Sequence, residues 1–194
     1  MRLQGLKCAV RDWSPADKTN LVEFADNRRI WRNLTHFFPN PYTDADAEEW
    51  IASATGEANP SHWAIEVEGR AAGGIGVSLD EGVYAKSGDF GYWLGEPFWG
   101  RGIMTEAVQL VVPYAMKRFG LCRLEASVFA WNPASMSVLE HCGFAREGVL
   151  RCSVFKDGEV IDQVVYACVQ DPRVQQPTDN TRGRVPRRQA PTTS

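Results

Sequence analysis

No stretch of the 194 residues approaches the roughly 20 apolar residues of a membrane span. The opening MRLQGLKCAVRDW has no long apolar run and no signal-peptide pattern, so a soluble cytoplasmic protein is expected. Metal signatures are missing as well. The five cysteines, Cys8, Cys122, Cys142, Cys152 and Cys168, are odd in number, widely spaced and free of CxxC pairs. That argues against a disulfide framework and against a cysteine zinc site, and leaves small buried thiols as the expectation. The histidines, His36, His62 and His141, show no HExxH or other ligand spacing, so no metal is expected. No His or Asp is patterned around Cys142 to make it a nucleophile.

The remaining composition is that of one globular domain, with 44% hydrophobic residues and a net charge of −3. The charge is uneven. Arg173 to Ser194 holds five arginines and one acid, a net +4, so the rest carries −7. An acidic body argues against a nucleic-acid surface and suits a cationic amine partner. The tail is rich in Pro, Thr and Arg and poor in apolar residues, which predicts disorder. The expected division is a domain over 1–172 and a basic tail over 173–194.

The domain reads as α+β. A first strand is predicted over Leu6–Trp13. Ser14-Pro15-Ala16-Asp17 then opens a helix that buries Leu21, Phe24 and Ala25. An aromatic loop follows, and Thr43-Asp44-Ala45-Asp46 starts a second helix toward Trp50 and Ile51. Trp63–Val67 and Ala71–Leu79 are strands around a tight Glu68-Gly69-Arg70 connection, and Phe90–Leu94 is a third. Met104, Ala107, Val108, Val111, Ala115, Met116 and Phe119 recur at helical spacing, with Pro113 inside the run. Arg123–Phe129 is a strand. Asn132-Pro133 opens a short helix that Gly143 ends, and a hairpin turns at Asp157-Gly158. The tryptophans are mostly core by prior.

One segment points to chemistry. GYWLGEPFWGRGIMTEAVQL runs strand, Gly-rich loop, helix, an arrangement that aims backbone N–H groups and a helix N-terminus at one anion. Gly100 and Gly102 let the backbone approach, and Arg101 adds a cation nearby. A P-loop would need GxxxxGK[ST], and no Lys is present. The dinucleotide fingerprint fails at Thr105. The pyrophosphate of coenzyme A fits the same device.

Here the sequence resembles the GNAT N-acetyltransferases, in the form of their ribosomal-protein (RimJ/RimL-like) branch. WGRGIMTEA is similar to the family's R/Q-G-x-G-x-G/A signature, with Trp99 and Met104 at its variable ends. Arg123-Leu124-Glu125-Ala126, then Asn132-Pro133-Ala134-Ser135, then Leu139-Glu140-His141-Cys142-Gly143-Phe144 follow that branch's later motifs. Arg32-Asn33-Leu34 through Phe38-Pro39-Asn40-Pro41-Tyr42-Thr43 to Trp50-Ile51 resembles its early stretch, so the likeness covers about residues 6–170.

The resemblance implies a central, mixed, mostly antiparallel sheet of about seven strands flanked by about four helices. The implied order is strand, two helices, three strands, helix, strand, helix, two strands. It implies acetyl-CoA as co-substrate, a primary amine as acceptor (a protein N-terminus or a small molecule), and a monomer or homodimer. It places the CoA site at Tyr92, Trp93, Leu94, Trp99, Gly100, Arg101, Gly102, Ile103, Met104, Thr105, Asn132 and Ser135. Asn132 reads equally as a helix cap. The acceptor wall is assigned to Asn33, Phe37, Phe38 and Tyr42, with plain loop packing as the alternative.

For catalysis, Ser135 serves the leaving thiolate, and Glu125, Asp89 or Glu66 is weighed as base against ordinary surface carboxylates, with a water chain and no dedicated base as the further alternative. Many relatives place a Tyr where this chain has Leu139. The branch's Glu base falls near Ser153 or Val154, so that group is missing here. A non-catalytic acyl-CoA sensor is the competing reading. A ribosome-associated factor docking through its basic tail is a third.

Overall fold

In the computed structural model, residues 1–56, 58 and 60–171 are described. The tail expected over 173–194 lies outside them. At the N-terminus the predicted strand Leu6–Trp13 is corrected. The chain makes two short antiparallel strands instead, β1 (Arg2–Gln4) and β2 (Ala9–Arg11). The cause is long-range. The amides of Leu6, Lys7 and Cys8 all donate to the carboxylate of Glu106, at 2.9, 2.7 and 3.0 Å. Amides taken in this way cannot join a ladder. Leu6, read from sequence as a strand residue, is fully exposed.

The helix starts follow their local signals. Ser14 Oγ accepts from Ala16 N–H at 3.3 Å, and Asp17 accepts from Ser14 N–H at 2.9 Å, a capping box around Pro15. A 3₁₀ turn at Pro15–Asp17 leads into α1 (Lys18–Ala25), which buries Leu21, Phe24 and Ala25. One extra turn, α2 (Arg28–Trp31), is capped by Asn27. Thr43 and Asp46 bond reciprocally at the start of α3 (Asp44–Gly56), at 2.7 and 3.3 Å.

The remaining elements are β3 (His62–Val67), β4 (Arg70–Leu79), β5 (Ser87–Leu94), α4 (Ile103–Phe119), β6 (Arg123–Phe129), α5 (Pro133–His141), β7 (Ala145–Lys156) and β8 (Glu159–Val169). Two hairpins turn on paired positive φ, Glu68-Gly69 at 52° and 77° and Asp157-Gly158 at 55° and 82°. That is the geometry a twisted two-residue turn requires. The sheet order is β1-β2-β3-β4-β5-β6-β8-β7. Every neighbouring pair is antiparallel except β5–β6. The α+β class stands. The extra strand is β1 and the extra helix is α2.

The sheet separates two cores. On one face α4 and α5 pack Ile103, Ala107, Val108, Val111 and Leu139 against Trp63, Ile65, Val77, Phe90, Leu124 and Val128. On the other, α1 and α3 pack Leu21, Ala25, Ala47 and Ile51 against Trp13, Ala64 and Ala71. No helix of the described residues is long and apolar enough to cross a membrane.

Candidate active site

The site begins where the sheet opens. β5 and β6 run parallel only through Ser87–Asp89 beside Arg123–Glu125. Beyond that register β5 stays paired to β4 as far as Leu94, and β6 stays paired to β8 as far as Phe129. The two strands therefore part after Asp89 and Glu125, leaving a gap flanked by Phe90–Leu94 and Ala126–Phe129.

Across this gap Tyr92 on β5 meets Ser135 on the first turn of α5. The two hydroxyl oxygens are 2.9 Å apart, and Tyr92 Oη also lies 3.2 Å from the Ser135 carbonyl oxygen. Burial pushes the Tyr92 hydroxyl above its ordinary value, so it stays protonated at neutral pH. Among the described residues neither hydroxyl is hydrogen-bonded to a carboxylate. Leu139, where many relatives carry Tyr, is fully buried in the α4–α5 core. Sequence reasoning placed Tyr92 at the CoA site with its neighbours Trp93 and Leu94. It missed the hydroxyl pair, because nothing local ties residue 92 to residue 135.

The two helices that border the gap begin differently. Asn132 caps α5, its Oδ1 accepting from Ser135 N–H at 3.2 Å, with Pro133 at the first helical position. At α4 the cap residue is Gly102, at φ 73°, and no side chain caps the helix. The first-turn amides of Ile103, Met104 and Thr105 are thus left without a side-chain acceptor. Gly100 also has positive φ, 71°. The glycines are required by backbone conformation more than by space. A Cβ on Gly100 would meet nothing within 4 Å, while one on Gly102 would strike Lys7 Nζ at 2.5 Å.

Lys7 was not foreseen. Held on the turn that Glu106 grips, it donates to the Arg101 carbonyl at 3.0 Å. It lines a depression of about 320 Å³ with Leu6, Val67, Glu68, Arg101 and Ile103. Burial opposes ionisation of Glu106, yet the amides of Lys7, Leu6 and Cys8 outweigh it and hold the carboxyl below its ordinary value. Arg101 turns its guanidinium to Glu68 at 2.7 Å. Trp99 donates its indole N–H to the Leu94 carbonyl at 2.6 Å, closing the loop, and the Arg29 guanidinium lies 5.1 Å from its ring centroid. The far end of α5 reaches the first turn of α4, Cys142 Sγ lying 3.5 Å from the Thr105 carbonyl. The helix therefore runs from the hydroxyl pair to the uncapped start of α4.

The candidate bases sit elsewhere. Asp89 and Glu125 are neighbours at the closed end of the gap. Strand alternation turns them away from the face that carries Phe90, Tyr92, Leu124 and Ala126. Glu125 is ion-paired to Arg123 at 2.6 Å, and Arg123 also bonds Glu147. Asp89 is solvent-exposed as a residue, yet its carboxyl is pushed up by partial burial and by the charges of Asp80 and Glu125. Glu66 is on β3, where Arg2 and Arg11 hold it at about 2.

The aromatic loop lies on the α1–α3 side. Phe38 packs edge-on against Trp93 with centroids 5.7 Å apart and touches Tyr42, which is buried in the core between α1 and α3. Phe37 is 84% exposed. The Asn33 amide donates to the Arg29 carbonyl at 2.9 Å. The β7–β8 tip returns to this side. Asp157 accepts from Arg28 at 2.6 Å, and Lys156 Nζ lies 3.8 Å from the Trp31 ring centroid.

A parted β5–β6 pair flanked by a glycine-started helix is an acetyltransferase architecture. The ribosomal acetyltransferase RimL, solved in complex with coenzyme A, matches with a TM-score of 0.76 at 19% identity over 87% of this chain and 98% of that one. A second acetyltransferase crystal structure matches with a TM-score of 0.77 at 25% identity over 88% and 97%. The chain belongs to the GNAT acetyltransferase family, whose acetyltransferase (GNAT) domain matches residues 8–145. Among curated relatives, "Probable N-acetyltransferase YjcK" of Bacillus subtilis (strain 168) is 48% identical over 77 residues, 40% of this chain and 42% of that protein. The ribosomal-protein-serine acetyltransferase of Escherichia coli (strain K12) is 31% identical over 44% of this chain and 48% of its own length. Each of these two alignments spans less than half of the relative.

Proposed function

We propose that this chain is an N-acetyltransferase that moves the acetyl group of acetyl-CoA to a primary amine, the α-amine of a protein N-terminus being the favoured acceptor. One observation carries the reading. The gap between β5 and β6 is bordered by α5, which leads from the Tyr92–Ser135 pair to the uncapped amides of α4. From Ser135 to Cys142 a helix rises about 10 Å, a span that the pantetheine arm bridges. The amides around Gly100–Thr105 would hold the pyrophosphate. Trp93 and Leu94 would lie along the arm, and Ser135 would face the sulfur.

Bound acetyl-CoA supplies the thioester that the amine attacks. The chain's own part is to hold that carbonyl beside β5 amides that β6 no longer accepts, a setting for the developing oxyanion. It also offers the Ser135 hydroxyl to the departing thiolate. Among the described residues the Tyr92–Ser135 pair has no carboxylate partner, so the amine gives its proton to water. That favours an acceptor already part-neutral. At pH 7 roughly one α-amine in ten is unprotonated, against one lysine in a few thousand. The relatives include ribosomal-protein acetyltransferases of Escherichia coli, which supports the same acceptor class. Asn33, Phe37 and Phe38 would meet the acceptor from the other side of the sheet, with Tyr42 behind them.

The test is calorimetric titration with acetyl-CoA, with CoA release followed over N-terminal peptides and small amines. Release that depends on an amine is the expected result, with peptides ahead. Binding without release across the panel would move the chain to the non-catalytic acyl-CoA sensor, and absent binding would remove the site.

The pH profile sharpens the chemistry. Without a protein base the rate climbs about tenfold per pH unit and levels near the amine's own value, about 8 for an α-amine. An added inflection, displaced upward from the ordinary aspartate range by burial and by the charges of Asp80 and Glu125, that Asp89→Asn abolishes would make Asp89 the base.

A further inference from the structure

We propose that Tyr92 is a positioning residue for the leaving group, its hydroxyl orienting that of Ser135 so that the serine proton points at the thioester sulfur. The proposal rests on the acetyl-transfer reading and deepens it.

The argument is a count of protons. Tyr92 Oη lies within reach of two oxygens of one residue, Ser135 Oγ at 2.9 Å and the Ser135 carbonyl at 3.2 Å. It has one proton to give. If Tyr92 donates to the carbonyl, Ser135 spends its own proton on Tyr92, and only serine lone pairs face the gap. If Tyr92 donates to Ser135 Oγ, the serine proton is free to point outward. A neutral or anionic sulfur at the gap accepts hydrogen bonds and offers none, so it selects the second arrangement. Tyr92 then satisfies the serine oxygen while Ser135 donates to sulfur.

No proton leaves either side chain. The amine lone pair forms the C–N bond. The C–S bond breaks with its electron pair going to sulfur, the ammonium proton goes to water, and the thiolate leaves hydrogen-bonded to Ser135. Three features hold the pair in place. The Ser135 amide is fixed by Asn132, the Tyr92 ring packs against Phe90 with centroids 5.8 Å apart, and burial keeps the tyrosine in its donor form.

The experiment is a double-mutant cycle of Tyr92→Phe and Ser135→Ala in the full-length protein. Acetyl-CoA affinity is measured by calorimetry, and kcat and KM from CoA release. Hydroxylamine serves as acceptor, a nucleophile already neutral at working pH that needs no base. For Tyr92→Phe the expected result is a fall in kcat of about tenfold, the scale of one hydrogen bond. Acetyl-CoA affinity and KM should stay within about twofold of the parent, since a hydrogen bond made to the leaving sulfur belongs to the transition state. On the Ser135→Ala background the same change should have no further effect, because Tyr92 acts only through the serine.

Multiplying losses in the double variant, an unchanged kcat for Tyr92→Phe, or a loss confined to acetyl-CoA affinity would overturn the positioning role. Failure of the parent protein to speed release with hydroxylamine or any amine would instead overturn the acetyl-transfer reading, and this proposal with it.

Discussion

The two helices at the gap are built to opposite rules. α5 is closed at its start, with Asn132 taking the Ser135 amide and Pro133 supplying a residue that has no N–H to satisfy. α4 is left open by a left-handed Gly102 with no side chain to offer. Replacing a good side-chain cap by glycine typically costs only about a few tenths of a kcal/mol, so α4 does without a small stabilisation that α5 has. The difference teaches how to separate a structural helix start from a binding one. The first is satisfied by its own sequence, while the second, as proposed for α4, keeps its donors for something outside the chain.

The largest effect that tests this contrast is expected at Gly102. Gly102→Glu puts a side chain where φ is 73° and where Lys7 Nζ already stands. It also brings a carboxylate to the amides proposed for pyrophosphate. Acetyl-CoA affinity should fall more than about a hundredfold, the sum of a displaced helix-end interaction and like-charge repulsion. Gly102 is exposed, so the thermal midpoint should move far less than the affinity. Retained affinity in calorimetry would place the anion elsewhere and erase the contrast.

A middle effect is expected at Lys7. Its ammonium is carried to the α4 start by a turn that Glu106 holds through three amides. Lys7→Ala should weaken acetyl-CoA binding about fivefold, with the difference shrinking as salt is raised, as for an exposed charge. An equal loss at low and high salt would mean that Lys7 acts by bracing the loop carbonyl of Arg101 rather than through charge.

These residues also show what a sequence can carry. Ser14-Pro15-Asp17, Thr43-Asp46 and Asn132-Pro133 were legible as helix starts because each cap is satisfied within three residues. Asp157-Gly158 was legible because a two-residue turn asks for positive φ. The order of strand, Gly-rich loop and helix was legible for the same local reason. The β1–β2 turn was not, since what prevents Leu6 and Lys7 from extending a strand is a carboxylate about a hundred positions away. The gap itself was illegible from periodicity. It arises because the parallel register of β5 and β6 stops at Asp89 and Glu125 while each strand continues with its other neighbour. The same holds for the Tyr92–Ser135 contact, and for the face on which Glu125 lies.

The smallest effect on affinity, and the most discriminating, is expected at Asn132. Two roles were open from sequence, helix cap and ligand to the pantetheine arm, and the Asn132 oxygen is already engaged by the Ser135 amide at 3.2 Å. Asn132→Ala should therefore cost about 1 kcal/mol of stability, a few degrees in thermal midpoint for a domain of this size. Acetyl-CoA affinity should change less than about twofold. Asn132→Asp provides the control. An aspartate caps as well as asparagine and interacts favourably with the helix dipole, so stability should be kept or slightly raised. If affinity instead falls tenfold in both variants while Asn132→Asp remains as stable as the parent, then the side-chain amide is donating to the ligand while its oxygen caps the helix. The closed start of α5 would in that case be a binding start as well, and the contrast with α4 would reduce to which atoms of the cap are left free.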